Sequence, residues 1–363
     1  MFKFITFYLF VHFLNPLHAL EVTHAVSPGG NFLTASTARS CSTFSVDRDS
    51  LSCNPALFAL SQSSGLQLSI VGKAEGSSID TGKKLIFEPI TEALIKDLFQ
   101  KNSYNSFSFN TGISFLTPYF KLSYSPYFAL ADILIFNPAF PEISLALTNR
   151  STLSLTSGMS LNPLLANKNM DLNFGYTLKY SQQTLSQDRF SLYDLSTQRP
   201  EQLILFKDLK YFSADFGTLL QLKNFYDLKF SAQIKNVGSK YKFNKTRAAS
   251  AYYLEHKYLF ETYSQMGIGK NLQTKWGGIN INIESFFEEY FRSFDYSRST
   301  LGLRYDLGLF YLLSAFSKDY KTFGMHFLSQ NFDVGLTYMN ERNIGKFQKK
   351  ADSAVYLGID FNL

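Results

Sequence analysis

The chain is poor in the groups that most chemistry requires. It has two cysteines, Cys41 and Cys53, and five histidines, two of which lie in the first 18 residues. No Gly-x-Ser-x-Gly, His-Glu-x-x-His, Cys-x-x-Cys or His-x-x-x-His spacing occurs, which removes the usual hydrolase and zinc signatures. His326 precedes Ser329 by three positions, and a strand would place those two side chains on opposite faces. The reading is therefore a non-enzyme without cofactor or metal, since only His24 lies near the cysteines. The net charge of +6 is spread thinly, and no basic cluster suggests nucleic acid. Beyond the N-terminus no run is long and apolar enough for a transmembrane helix.

What the chain has instead is aromatic residues, 37 Phe and 22 Tyr, or 17% of the sequence with Trp included, at a mean hydropathy near zero. Apolar and polar residues alternate, and the averages cancel. At the C-terminus Val355, Leu357, Ile359, Phe361 and Leu363 share one face, while Tyr356, Gly358, Asp360 and Asn362 share the other. The same period-two pattern runs through Phe107 to Phe115, Leu172 to Tyr180, Leu228 to Ile234, Leu301 to Leu307 and Phe332 to Tyr338. Turn chemistry separates these runs at Asn162-Pro163, Lys223-Asn224, Lys318-Asp319 and Asn340 to Asn343. Lipid outside and a wetter lumen inside impose this alternation. The fold expected is all-β, a transmembrane antiparallel β-barrel of about 14 strands from Gly65 onward. A soluble sandwich or propeller also alternates, but it does not account for lumen-type faces that carry both charges and glycines.

Met1-Phe2-Lys3, the apolar run Phe4 to Leu14 and Leu17-His18-Ala19 read as a signal peptide over residues 1–19. Export would place the barrel in the outer membrane of a Gram-negative-type bacterium, among outer-membrane lipid and lipopolysaccharide. Three stretches do not alternate: Phe87 to Gln100 reads as a short amphipathic helix near 89–100, and Ser181 to Gln202 and Phe243 to His256 read as extracellular loops. Residues 20–64 precede the first strand as a separate segment, and 65–363 form the barrel.

The polar faces supply lumen candidates: Asp171, Lys179, Asp215, Lys229, Lys235, Arg304, Asp306 and Asp360. Charges of both signs there would pair with one another or hold an inner segment. Cys41 and Cys53 close a small loop in an oxidising compartment, or remain two free thiols, the disulfide being the favoured reading.

Four features together are similar to one family. Arg39 to Leu60 leads an acidic, small-residue run into Asn54-Pro55-Ala56; Ala214-Asp215-Phe216-Gly217 is followed by Lys235-Asn236-Val237-Gly238; and Tyr356-x-Gly358-x-x-Phe361-x-Leu363 ends the chain. This order resembles the FadL-like outer-membrane proteins, including the PorV/PorQ branch, with Leu57-Phe58 where a glycine commonly follows the NPA. The resemblance implies a plug formed by residues 20–64, with Asn54, Pro55 and Ala56 at a turn, inside a 14-stranded barrel. It implies binding or transport of a hydrophobic small molecule, or, in the PorV branch, a non-conducting barrel acting in protein secretion or as a surface scaffold. The final strand resembles the signal read by the outer-membrane assembly machinery. An open general porin is the third alternative.

Overall fold

The computed structural model describes residues 33, 37, 40–44, 50–61, 64–76, 103–136, 142–164, 169–191, 207–225, 227–238, 262–275, 277–288, 293–318, 320–329, 331–342 and 351–363. The expected signal peptide, the helix near 89–100 and the loop at 243–256 lie outside these residues.

The strands are β1 (Gly65–Gly76), β2 (Ser103–Leu116), β3 (Lys121–Phe136), β4 (Glu142–Ser160), β5 (Met170–Ser191), β6 (Lys207–Leu222), β7 (Leu228–Val237), β8 (Tyr263–Thr274), β9 (Gly277–Glu288), β10 (Ser293–Asp306), β11 (Phe310–Phe316), β12 (Tyr320–Leu328), β13 (Phe332–Arg342) and β14 (Ala351–Asn362). Each pairs antiparallel with its sequence neighbours, and β1 pairs with β14, so the fourteen strands form a closed barrel. Closure satisfies every strand's backbone groups without an edge, which lipid demands. At the seam Leu66 and Leu363 exchange backbone hydrogen bonds of 3.0 and 2.8 Å.

One end of the barrel carries short turns. Those after β2, β10 and β12 are built alike, with the N–H of Thr117, Leu307 and Ser329 donating to the carbonyl three residues on. Outward faces are apolar and exposed, including Ile70, Phe109, Ile113, Leu336, Leu357 and Phe361. Inward faces bury Gln67, Asn110, Thr177, Gln233, Asn282 and Thr337. The outer face is thus a belt for lipid and the inner one a polar lining.

The stretch read as a loop from Ser181 to Gln202 is corrected in its first half, because β5 continues through Ser191. Its upper part, paired with Thr152 to Glu142 of β4, has polar residues on both faces, so no alternation marks it. At 19 and 22 residues, β4 and β5 exceed the roughly 9–11 that a strand needs to cross a bilayer. Likewise β13 runs on to Arg342, through part of the turn expected at Asn340 to Asn343.

The barrel has a hydrophobic core inside it. Leu33, Phe44, Leu51, Leu57 and Phe58 from the N-terminal segment pack with three inward-facing wall leucines, Leu116 on β2, Leu219 on β6 and Leu313 on β11. All three wall residues lie towards the short-turn end, so the core sits inside the barrel at that end. Each such side chain contributes about 1.5–3 kcal/mol when removed from water.

Candidate functional site: plug, lumen and wall

Asn54 begins a 3₁₀-helix over Pro55–Leu60. Its Oδ1 accepts the Ala56 N–H at 2.9 Å, the N-cap interaction, and proline suits the first helical position because its missing N–H would be orphaned there. The same side chain reaches the wall, Nδ2 donating to the Thr218 carbonyl at 3.2 Å. Asn54-Pro55-Ala56 therefore both starts the helix and fixes it to β6.

The wall makes room by omitting side chains. A Cβ on Gly175 would overlap the Pro55 carbonyl and the Ala56 nitrogen, and one on Gly217 would overlap the Asn54 amide oxygen. The other arm of the segment rests on β7 to β10. Ser42 N–H donates to Glu284 Oε1 at 2.9 Å, the Ser42 and Ser231 hydroxyls are hydrogen-bonded at 2.5 Å, and Thr43 Oγ1 donates to Asn282 Oδ1 at 2.8 Å. A disulfide between Cys41 and Cys53, Cα–Cα 5.6 Å, joins the two arms.

Above the 3₁₀-helix the wall itself is irregular. Ala214 pairs with Val237 and Phe216 with Ile234, so Lys235 and Asn236 together oppose Asp215 in a β-bulge. Asn236 takes φ 59°, and Gly238 φ 88°. The Asp215 carboxylate fills the gap: Oδ1 accepts the Asn236 N–H at 2.9 Å, and Oδ2 lies 2.5 Å from Lys179 Nζ. Lys179 also donates to Asn236 Oδ1 at 3.2 Å. Beside them Lys235 Nζ donates to the carbonyls of Cys53 at 3.1 Å and Ser52 at 3.4 Å. Lys179, Asp215 and Lys235 are thus brought together, the first two holding the bulge and Lys235 joining it to the N-terminal segment.

The other expected lumen residues lie apart from this cluster. Asp171 pairs with Lys223 at 2.7 Å at the short-turn rim. Arg304 lies over the Tyr311 ring, 3.6 Å from its centroid, with Asp306 3.9 Å away; Asp306 also accepts the Gly308 N–H in the following turn. Lys229 is buried on β7. Asp360 is buried opposite Asp333, which accepts a hydrogen bond from Asn362 Nδ2 at 2.9 Å.

Sequence reading missed three further interior groups. Arg150 lies 4.6 Å from the Phe128 ring centroid, Lys73 lies 5.6 Å from that of Tyr356, and Glu284 accepts the Ser42 N–H. Continuing the alternation of β1, β4 and β9 would have placed all three inside. Among the described residues no group of three His, Cys, Asp or Glu could hold a metal.

The wall is also broken at β3. On the β2 side pairing jumps from Thr111↔Tyr127 to Ile113↔Tyr124, and on the β4 side from Ser125↔Thr152 to Phe128↔Arg150. Pro126 sits in the gap and has no N–H for either ladder. Thr111 Oγ1 donates instead to the Tyr127 carbonyl, at 3.3 Å. Next to the break the outer face holds a trough of about 740 Å³, where Gly72, Ala74, Ala129 and Ala131 stand beside Phe107 and Phe109.

No protein-family model matches the chain, and no curated protein matches it in sequence. Solved structures do match in shape. The toluene transporter TbuX of Ralstonia pickettii gives a TM-score of 0.48 at 10% identity, over 92% of this chain and 98% of that one. A FadL homologue of Pseudomonas aeruginosa gives 0.44 at 10% identity, over 92% and 96%. The deltaS2 mutant of TodX, a monoaromatic hydrocarbon channel, gives 0.51 at 9% identity, over 92% and 98%; TodX itself is the toluene transporter of P. putida. The chain is a transmembrane β-barrel with the fold of the TodX channel.

Proposed function

We propose that the chain is a FadL-like outer-membrane channel that carries a hydrophobic small molecule. The observation that carries this reading is the break at Ser125 to Phe128, set beside the apolar trough on the outer wall. With N-terminal residues packed inside the barrel, an apolar solute gains nothing from a polar lumen, whereas the broken ladder gives the wall a weak point next to an apolar surface. The shared fold with a monoaromatic hydrocarbon channel supports the same class of cargo. Residues 20–64 act as its plug and residues 1–19 as the export signal; outer-membrane lipid, lipopolysaccharide and the assembly machinery are its surroundings and partners. By sequence, the NPA and NVG segments support placement near the PorV/PorQ-like branch.

The test is toluene uptake by cells expressing the protein. Ala129→Trp and Ala131→Trp fill the trough from outside and should lower uptake at least fivefold, while the folded, heat-modifiable band is unchanged. Undiminished uptake in both variants would remove the hydrophobic-channel reading. A secretion or scaffold barrel would show no uptake in the unaltered protein and would co-purify with a protein partner.

A further inference from the structure

Across the barrel from the break in β3 the wall is low, since β11 has seven residues where a strand crossing a bilayer needs roughly 9–11. Register fixes what the outer face presents there. Ser314, Phe323, Tyr338 and Val355 form one row across β11 to β14, and Phe316, Lys321, Asn340 and Ser353 form the next row away from the short turns. Lys321 points outward with Phe323 and Met325, each 55% exposed, while Thr322 and His326 between them are buried. A polar row thus stands directly above apolar ones. Below it the outer face holds a second trough, of about 730 Å³, lined by Leu312, Ser314, Phe323, Met325, Leu336 and Tyr338. Ser314 makes the depression, a small side chain beside the Phe316 and Phe323 rings, which meet edge to face at 5.7 Å.

The polar row is rich in donors. Asn340 Nδ2 donates to the Tyr338 hydroxyl at 3.4 Å, and that hydroxyl is hydrogen-bonded to Ser353 Oγ at 2.8 Å. Two hydroxyls joined by one hydrogen bond keep one O–H to donate elsewhere, and Asn340 keeps a second amide hydrogen. Lys318 is exposed in the turn that follows β11, and among the described residues neither it nor Lys321 forms an ion pair. A hydrophobic span shorter than the bilayer draws lipid headgroups down to it, and basic side chains at a membrane surface attract anionic lipid. A phosphate brought to Lys321 accepts from these donors, and the chain that hangs from it enters the trough one row below. A neutral lipid would fill the trough and leave the cations unmatched; a free phosphate would match the cations and leave the trough.

We propose that the outer face of β11 to β14 is a binding site for a phosphate-bearing lipid. Lys321 and Lys318 hold the phosphate, Asn340, Tyr338 and Ser353 hold the polar groups beside it, and the trough at Ser314 takes an acyl chain. The site rests on the reading of the chain as an outer-membrane barrel and is independent of what the barrel carries.

The experiment is native mass spectrometry of the full-length protein in detergent, titrated with dioleoyl phosphatidate and, separately, with dioleoylglycerol, which has the same chains and no phosphate. Retention of phosphatidate at concentrations where no dioleoylglycerol is retained is expected. Lys318→Gln combined with Lys321→Gln should weaken it at least tenfold, and Ser314→Trp, which fills the trough with the lysines in place, should do the same. Lys275→Gln, at an exposed turn on the opposite rim, should leave it unchanged, as should Ala131→Trp in the other trough, even where toluene uptake is lost. No retention of phosphatidate by the unaltered protein, equal retention of dioleoylglycerol, displacement of the lipid by inorganic phosphate alone, or equal weakening by Lys275→Gln overturns the proposal. So does full retention by the double lysine variant or by Ser314→Trp in protein that still shows the heat-modifiable band.

Discussion

The ring closed by Cys41 and Cys53 joins two arms of the plug that rest on different arcs of the wall, one on β7 to β10 and the other on β4 to β6. Replacing both residues, Cys41→Ser with Cys53→Ser, leaves the packing almost intact but frees the arms from each other in the undocked state. For a sequence separation of 12, loop-closure entropy is worth about 3 kcal/mol. At about 1.4 kcal/mol per tenfold, the undocked plug should become roughly a hundredfold more populated. Amide hydrogen exchange reads this directly at Ser42, whose N–H is buried against Glu284. Its exchange should accelerate by about that factor, while strand amides such as that of Leu336 on β13 keep their rate. An unchanged rate at Ser42 would show that the ring does not hold the plug. Equal acceleration of the β13 amides would show that plug and barrel open as one unit and would refute the independent undocking of the plug.

Two further perturbations act on the wall. Gly175→Val puts branched carbon where the Pro55 carbonyl lies; overpacking of about 1–3 kcal/mol or more should unseat the 3₁₀-helix, and planar-bilayer recordings should show stable conductance well above that of the unaltered protein. Leu357→Arg places a cation on the lipid face, where Leu357 is 49% exposed; urea titration in liposomes should show a loss of about 2–4 kcal/mol if the site is near the midplane.

The barrel was legible wherever lipid enforces a period of two. Leu172 to Tyr180, Leu228 to Ile234 and Val355 to Leu363 alternate because one face meets lipid and the other the lumen. Ser181 to Ser191 misled because both faces there are polar, so length alone distinguishes strand from loop. The inward leucines Leu116, Leu219 and Leu313 were hidden for the opposite reason. They occupy the face that the pattern assigns to polar residues, and only the plug packed against them explains their type. Parity along the strands places Lys179, Asp215 and Lys235 inside, but their meeting depends on the bulge at Asn236, which no local pattern announces. The break in β3 did have a signal, since Pro126 lies within an otherwise regular run.

The placement of the two sulfurs sets an order of events in biosynthesis. Cys41 and Cys53 are sealed within a wall whose seam joins β1 to β14, and the plug precedes β1 in the chain. No protein oxidant could follow them through that wall. A protein oxidant is therefore expected to act before β1 meets β14, and once the seam has closed only a small-molecule oxidant could complete the bond.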